Sequence, residues 1–509
     1  MPSLADLIFL ALLGALVFTP LSVKLLNDAG IGWHIRNGQH ILATHTIPRF
    51  DSFSFILWQP WFAWEWLYDI AVGKLEAWCG LNGVVWLTAV VIATVFAGTF
   101  RLAVARGTNL LLALLLTLLA ISASMIHFLA RPHVLSWLFV LAWFWILDST
   151  DRDGWPGLRA RWLWALPLSM LLWVNVHGGF LLGFVLLGIY WLGSLWTWLT
   201  AHETRLEDSL RKIAAGRRVR QLTGVGLLSI AATFINPYGW KLHAHIYGYL
   251  SNRFLMDHID EFQSPNFHGI AQKCFLALLL IAIAALAAGG RKLRLSEILL
   301  LLFAVYAGLY ASRNIPVSSV LLVLLVGPLR PSLKSWGFAQ RMSVVDSRLR
   351  GHLWPILATA AVLMIAASGG RVGSSQWMNA HFDPRRMPVE AVNFIERSGV
   401  RAPILSPDYW GGYLIYQLYP HNPVVIDDRH DFYGEPFLRL YLKMIHVEPD
   451  WDEFFKVHLV GYLLLPRSAA LTTVIRATPG WKPIYSDDVA ILFMRTGLSH
   501  EDSDHAPSR

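Results

Sequence analysis

Between two strongly apolar segments lies the stretch Asn27 to Asp69, which carries four acids (Asp28, Asp51, Glu65, Asp69) and three histidines (His34, His40, His45). Carboxylates and imidazoles are the side chains of proton transfer. Asp28 stands just past the first apolar run, where a carboxylate meets a low-dielectric wall and loses part of its water. That setting suits a general base, although it equally suits an aspartate capping a helix over Ile31–Leu42. Asp51, within Pro48-Arg49-Phe50-Asp51-Ser52-Phe53-Ser54-Phe55, is the second catalytic candidate, and it also fits an N-cap or an Asx turn. Glu65 and Asp69 are one helical turn apart on a Trp-rich segment. That segment reads as a helix lying in the membrane interface, with Trp61, Trp64 and Trp66 as anchors.

A second set of groups could hold an anion. Arg131 and His133 directly follow one apolar run, Asn175 and His177 close another, and Arg313 lies just past the end of a third. An arginine in such a place can snorkel to lipid headgroups. It can also grip phosphate oxygens through paired hydrogen bonds, with His34, Glu65 and the other histidines completing a substrate pocket. A phosphate at membrane depth belongs to a lipid-linked substrate. The run Asp427-Asp428-Arg429-His430-Asp431 is dense enough to ligate a metal, but because it follows a strand and precedes Tyr433-Gly434 it reads rather as a hydrogen-bonded turn. No P-loop, G-x-G-x-x-G, H-E-x-x-H or G-x-S-x-G is present, which argues against an ATPase, a dinucleotide enzyme or a common hydrolase. Cys79 and Cys274 are the only cysteines and form neither a disulfide framework nor a zinc spacing.

The elements that must position these groups are set by composition. Of 509 residues, 55% are hydrophobic and only 15% are charged, so most of the surface must face lipid. The 24 tryptophans fit the headgroup boundary. Apolar runs at 4–23, 81–100, 109–128, 134–148, 162–176, 179–199, 222–235, 274–289, 295–311, 315–329 and 353–369 predict about eleven transmembrane helices. The first run, with no basic n-region and no A-x-A-like site after it, reads as an uncleaved helix.

The net charge of +8 does not point to nucleic acid, because the basic residues cluster in alternate loops. Arg101 and Arg106, Arg152 to Arg161, Arg205 to Arg220, Arg291 to Arg294 and Arg330 to Arg350 all fall in one set of loops. By the positive-inside rule that set is cytoplasmic, the N-terminus is inside and the C-terminal region is outside. The groups with chemical potential then share the external side.

The character changes after about residue 370. Pro388–Arg397 and Trp451–Val457 have helical spacing, while Ala402–Leu405, Val424–Ile426, Gly461–Leu465 and Val489–Met494 read as strands. The expected organisation is a transmembrane unit over 1–370 with a first external loop at 24–80, an external α/β domain over 371–495, and a disordered tail over 496–509. The fold class is mostly α, a polytopic membrane protein with a small C-terminal α/β soluble domain.

An acid just after the first span, a first external loop of interfacial helices and many spans together resemble the GT-C glycosyltransferase superfamily. Protein O-mannosyltransferases and lipid A aminoarabinose transferases belong to it. A closer resemblance is to a bacterial membrane protein group placed near them. It is carried by Asp28…Gly32-Trp33-His34-Ile35…Gly38, Ile47-Pro48-Arg49…Asp51-Ser52-Phe53-Ser54 and Glu65-Trp66-Leu67. Ala130-Arg131-Pro132, Asn175…His177-Gly178-Gly179, Asn236-Pro237-Tyr238-Gly239, Trp410-Gly411-Gly412-Tyr413 and Asp427…Arg429 extend it over almost the whole chain.

The resemblance implies an inverting transfer of a hexose or pentose from a polyprenyl-phosphate-linked donor. The acceptor would be a glycan, lipid or protein on the external face, and the protein a multi-pass component of the bacterial inner membrane. Asp28, and after it Asp51, occupies the place of the superfamily's first-loop base. Asn27-Asp28-Ala29 has one acid where many members have an adjacent pair, which leaves a divalent metal open as a cofactor. The rival is a non-catalytic membrane scaffold or a lipid-linked-glycan transporter keeping the same fold.

Overall fold

The computed structural model describes residues 1–56, 59–152, 158–201, 205–289, 292–329, 337–349 and 351–496. The polar tail from 497 onward, and Arg291, Arg330, Lys334 and Arg350 of the topology argument, lie outside them.

Every one of the apolar runs forms helix. Among the described residues six helices are long and apolar enough to cross a membrane: Leu81–Ala105, Leu110–His127, His133–Asp151, Gly178–Thr200, Ile270–Ala287 and Ser312–Leu329. A bent pair, Gln340–Arg348 with Leu353–Ala367, makes up to seven, and Leu4–Phe18, Arg161–Val174 and Leu295–Tyr310 are apolar but shorter. The run at 222–235 is the second half of one long helix, Leu206–Thr233, whose first half is basic.

The bundle is built around Leu81–Ala105 and Ser312–Leu329, the two most buried of these helices. Leu115, Leu118, Leu227, Leu280, Ile283 and Leu302 on the outer helices are exposed, as lipid-facing side chains would be. At the far end of Leu81–Ala105, about 37 Å from its start at 1.5 Å per residue, Arg106 is buried against Asp148 and Glu297. Its Nε donates to the Leu324 carbonyl at 2.8 Å. That group ties four helices together away from the polar span ends.

The C-terminal part carries a four-stranded sheet in the order Ile404–Leu405, Tyr462–Pro466, Ala490–Arg495, Trp481–Ser486, the first pair parallel and the others antiparallel. Three of these strands match the expected ones, and Trp481–Ser486 is additional. The expected strand at Val424–Ile426 forms only isolated bridges, from Val424 to Ile404 and to Ser54. Ile404 is in the sheet's edge strand and Ser54 in the first loop, so the extended pairing here joins the loop to the edge of the sheet.

The first loop holds two helices, Ile31–Thr44 and Trp66–Cys79. The first lies against the helix Asp408–Leu418 at a glycine crossing. A Cβ on Gly32 would collide with the Gly412 carbonyl, and one on Gly412 with the Ala29 carbonyl. This accounts for Gly412 of Trp410-Gly411-Gly412-Tyr413, while a Cβ on Gly411 would meet the Ile426 carbonyl and Asp427. Gly412→Ala is expected to cost about 1–3 kcal/mol through overpacking against backbone, read as a lower Tm of the purified protein. An unchanged Tm would mean that the two helices can separate freely.

Trp61, expected as a lipid anchor, is instead buried. It stacks on the Arg429 guanidinium, 4.7 Å from its ring centre.

Candidate active site

The chain turns sharply after Asn27. The Gly30 N–H donates to Asp28 Oδ1 at 2.9 Å, an Asx turn that starts the helix Ile31–Thr44. The same oxygen faces Arg131 Nη1 at 3.1 Å, and that nitrogen also donates to Asp428 Oδ2 at 2.5 Å. Trp33 Nε1 donates to the other Asp428 oxygen at 2.9 Å. A side chain at residue 30 would overlap the guanidinium, so the glycine is what lets Arg131 approach. Burial works against the charge of Arg131, but Asp28 and Asp428 outweigh it and hold the group firmly cationic. Asp28 Oδ2 makes no hydrogen bond among the described residues, and the side chain is 32% exposed. Oδ2 is therefore left without a hydrogen bond beside a fixed cation, on a side chain that is partly exposed.

Asp51 is placed differently. Its Oδ2 accepts from the Ser54 and Phe53 N–H groups at 2.7 and 3.3 Å, and its Oδ1 from Arg429 Nη1 at 2.6 Å. Arg429 turns its other edge on Asp427, Nε to Oδ1 at 2.8 Å and Nη2 to Oδ2 at 2.7 Å. All three side chains are buried. The Asx turn expected at Asp51 is present, and its carboxylate is taken up in holding the loop to the C-terminal segment.

Each member of Asp427-Asp428-Arg429-His430-Asp431 goes to its own partner. Asp427 also accepts from the Tyr433 hydroxyl at 2.8 Å, His430 Nε2 meets Asp408 at 2.8 Å, and Asp431 meets His245 Nε2 at 2.9 Å. The motif is the seam between the first loop, the segment around His245 and the C-terminal part. Among the described residues no three His, Cys, Asp or Glu side chains gather as metal ligands.

Glu65 precedes the helix Trp66–Cys79, whose start is fixed by Asn175. The Leu67 N–H donates to the Asn175 carbonyl at 3.2 Å, and Trp66 Nε1 to its side chain at 2.8 Å. The Glu65 carboxyl lies between two imidazoles, His34 Nε2 at 3.7 Å and His177 Nε2 at 3.8 Å. His34 is anchored through Nδ1 to Asp69 at 2.6 Å, and Asp69 accepts from Asn37 at 2.6 Å. Burial pushes Glu65 up to about 8, with Arg131 pulling the other way, and it pushes His34 and His177 well below the usual imidazole range.

Arg313 sits at the head of another span with Nη1 3.1 Å from Glu261 Oε1 and its guanidinium 4.4 Å from the Phe262 ring centre. His133 Nε2 meets the His127 carbonyl at 3.0 Å, where it closes the end of the preceding span. His127 in turn reaches the Ser312 carbonyl at 3.0 Å, beside Arg313.

No family model matches the chain, and no curated protein matches it in sequence. Solved structures do match in fold. The oligosaccharyltransferase AglB from Archaeoglobus fulgidus, in complex with an inhibitory peptide and a dolichol-phosphate, superposes with a TM-score of 0.54 at 11% identity. That match covers 91% of this chain and 69% of that one. The same organism's oligosaccharyltransferase tethered to an acceptor peptide gives 0.53 at 11% identity, covering 91% and 68%. The arabinofuranosyltransferase AftD from Mycobacteria gives 0.51 at 13%, covering 98% of this chain and 41% of that one.

The fold is that of the GT-C glycosyltransferases. In this chain Asp28 and Arg131 come together, and Glu65, His34 and His177 form a second group. His133 and Arg313 are linked to each other through His127. Asp428 and His245 are the residues that sequence reasoning missed as site members. The signal for Asp428 was its place in an acid-rich motif, but the motif could not say which acid would turn toward Arg131.

Proposed function

We propose that this chain is a membrane glycosyltransferase that moves a sugar from a polyprenyl-phosphate donor to an acceptor on the external face. The supporting observation is the Arg131 guanidinium clamped between Asp28 and Asp428, with one Asp28 oxygen left open. In this reading Asp28 Oδ2 takes the proton of the acceptor hydroxyl or amine as that atom attacks the anomeric carbon. The bond from that carbon to the phosphate oxygen breaks, its electron pair leaves with the polyprenyl phosphate, and the configuration inverts. Arg131 and Arg313 balance the charge of the departing phosphate. Asp51 is a positioning residue acting through Arg429, and His133 supports Arg313 through His127.

A resident divalent metal does not fit the Asp28 site, because the Arg131 guanidinium stands between the two carboxylates and no third ligand joins them among the described residues. No step is routed through one.

The topology that goes with this function has about eleven spans, a cytoplasmic N-terminus and an external C-terminal domain over 371–495. The bacterial inner membrane supplies the donor lipid. The test is sugar transfer by the whole protein in oriented vesicles, using a panel of labelled polyprenyl-phosphate hexoses and pentoses. Transfer is expected only when donor and acceptor share the face that carries residues 371–495. A protein that transfers none of the panel sugars, in either orientation, is not this enzyme.

A further inference from the structure

We propose that Glu65 acts as a neutral carboxylic acid whose O–H donates to a phosphate oxygen of the bound donor, so that its ionisation weakens donor binding. This rests on the function proposed above and adds a residue with a defined protonation state to it. The geometry comes first. The Glu65 side chain is buried, and among the described residues no N–H or O–H group donates to either carboxyl oxygen.

The two imidazoles beside it, at 3.7 and 3.8 Å, are too distant for hydrogen bonds. Neither is a cation that would hold a carboxylate. His177 Nδ1 accepts from the Gly179 N–H at 3.0 Å and lies 2.8 Å from the Ser136 hydroxyl, so the ring hydrogen is on Nε2. His34 is fully buried and fixed through Nδ1 to Asp69, and its Nε2 has no hydrogen-bond partner.

An ionised carboxylate here would be largely desolvated and unpaired, which disfavours the charged form. A carboxylic acid avoids that penalty and leaves its proton available, the device by which enzymes turn a buried acid into a donor. His34 Nε2 is a buried polar atom without a partner, Glu65 Oε2 lies 3.7 Å from it with no hydrogen bond among the described residues, and a hydrogen-bonding ligand would satisfy both.

The charged groups acting on Glu65 come from several elements. Arg131 and Arg313 favour its ionised form, Asp431 and Asp428 oppose it, and burial outweighs them all to place it at about 8. His34, His177 and Asp69 are each held toward neutrality by burial. Glu65 is therefore the acid in this group that changes charge just above neutral pH. Ionisation adds a negative charge within electrostatic reach of Arg131, the group proposed to receive the phosphate.

The experiment titrates undecaprenyl phosphate into the whole protein in nanodiscs across neutral to alkaline pH. It also follows the protonated-carboxyl infrared band. Wild-type affinity is expected to hold up to about pH 8, then to fall about tenfold per pH unit as the competent fraction falls. Glu65→Gln is expected to bind a few-fold more weakly at neutral pH, because an amide is the poorer donor, and to show no alkaline loss. Its spectrum should lack a carboxyl band that the wild type shows at neutral pH and loses above it. Glu65→Leu, with an unchanged Tm, is expected to bind weakly at every pH.

Parallel pH profiles for wild type and Glu65→Gln would overturn the proposal. So would a neutral-pH spectrum with no band removed by Glu65→Gln while binding is intact. If the band is present but the wild type binds no undecaprenyl phosphate, the assigned ligand is wrong, and the glycosyltransferase reading falls with it.

Discussion

Asp28→Asn is expected to lower sugar transfer by about 10²–10⁴-fold, the range of a positioned general base, with the Tm almost unchanged. Asparagine keeps an oxygen for the Gly30 N–H and for Arg131, so the Asx turn and the clamp survive. What it removes is the second carboxylate oxygen, Oδ2, which has no hydrogen bond among the described residues. Donor binding should change far less than the rate, because Arg131 retains Asp428 and stays in place. Initial rates with a labelled polyprenyl-phosphate sugar, beside a binding titration, separate the two. A variant that transfers sugar at the wild-type rate would remove Asp28 from the chemistry and revive the scaffold or transporter reading.

The largest loss of stability is expected from Arg429→Leu. The wild-type guanidinium pairs with Asp51 on one side and bidentately with Asp427 on the other, all three buried under Trp61, Phe53 and Phe432. Replacing such a pair with apolar residues can be neutral, but removing one member strands the others, at about 3–5 kcal/mol. The deficit should grow as pH rises. Burial already pushes Asp427 above the usual carboxylate range against the pull of Arg429. Once that pull is gone, the folded state holds the proton more tightly than the unfolded one, so stability falls through the interval between the two pKa values. Thermal or denaturant unfolding across acidic to neutral pH measures this. A Tm within a degree or so of wild type would show that the buried cluster is wet or rearranges. Arg429→Lys keeps the charge without the two-sided fork, and its loss should be intermediate.

Much of the site was legible because its first half is local. Asp28 follows a span, Gly30 and the helix after it are adjacent in sequence, and Arg131 heads a short inter-span loop. Hydropathy periodicity located every apolar helix, since lipid imposes a length that composition reveals. The second half was not legible. Trp33 and Asp428 are 395 residues apart, and no local pattern tells which acid of Asp427-Asp428-Arg429-His430-Asp431 will point at a distant guanidinium. Trp61 shows the same limit: indole at a membrane boundary is a sound average, but the buried Arg429 is a stronger partner for that particular ring. Glu65 read as a seat for the loop because its helix was visible, whereas His34 and His177 come to it from separate elements. The missing strand at Val424 is explained in the same way, as its hydrogen bonds go to Phe53 and Phe55.

The glycine crossing and the Arg429 cluster together impose an order in time. The Asp28 carboxylate and the Arg131 guanidinium are synthesised and can meet while several hundred residues have yet to be made. Until Gly412 can dock on Gly32 and Arg429 on Asp51, Asp428 is absent and the first loop lacks the buried cation under its aromatic rings. On the function proposed above, a nascent chain threaded into the bilayer is thus unfinished however well its spans have packed. Until then the Arg131 clamp has one jaw, and its second arrives only when the last fifth of the polypeptide closes over the loop made first.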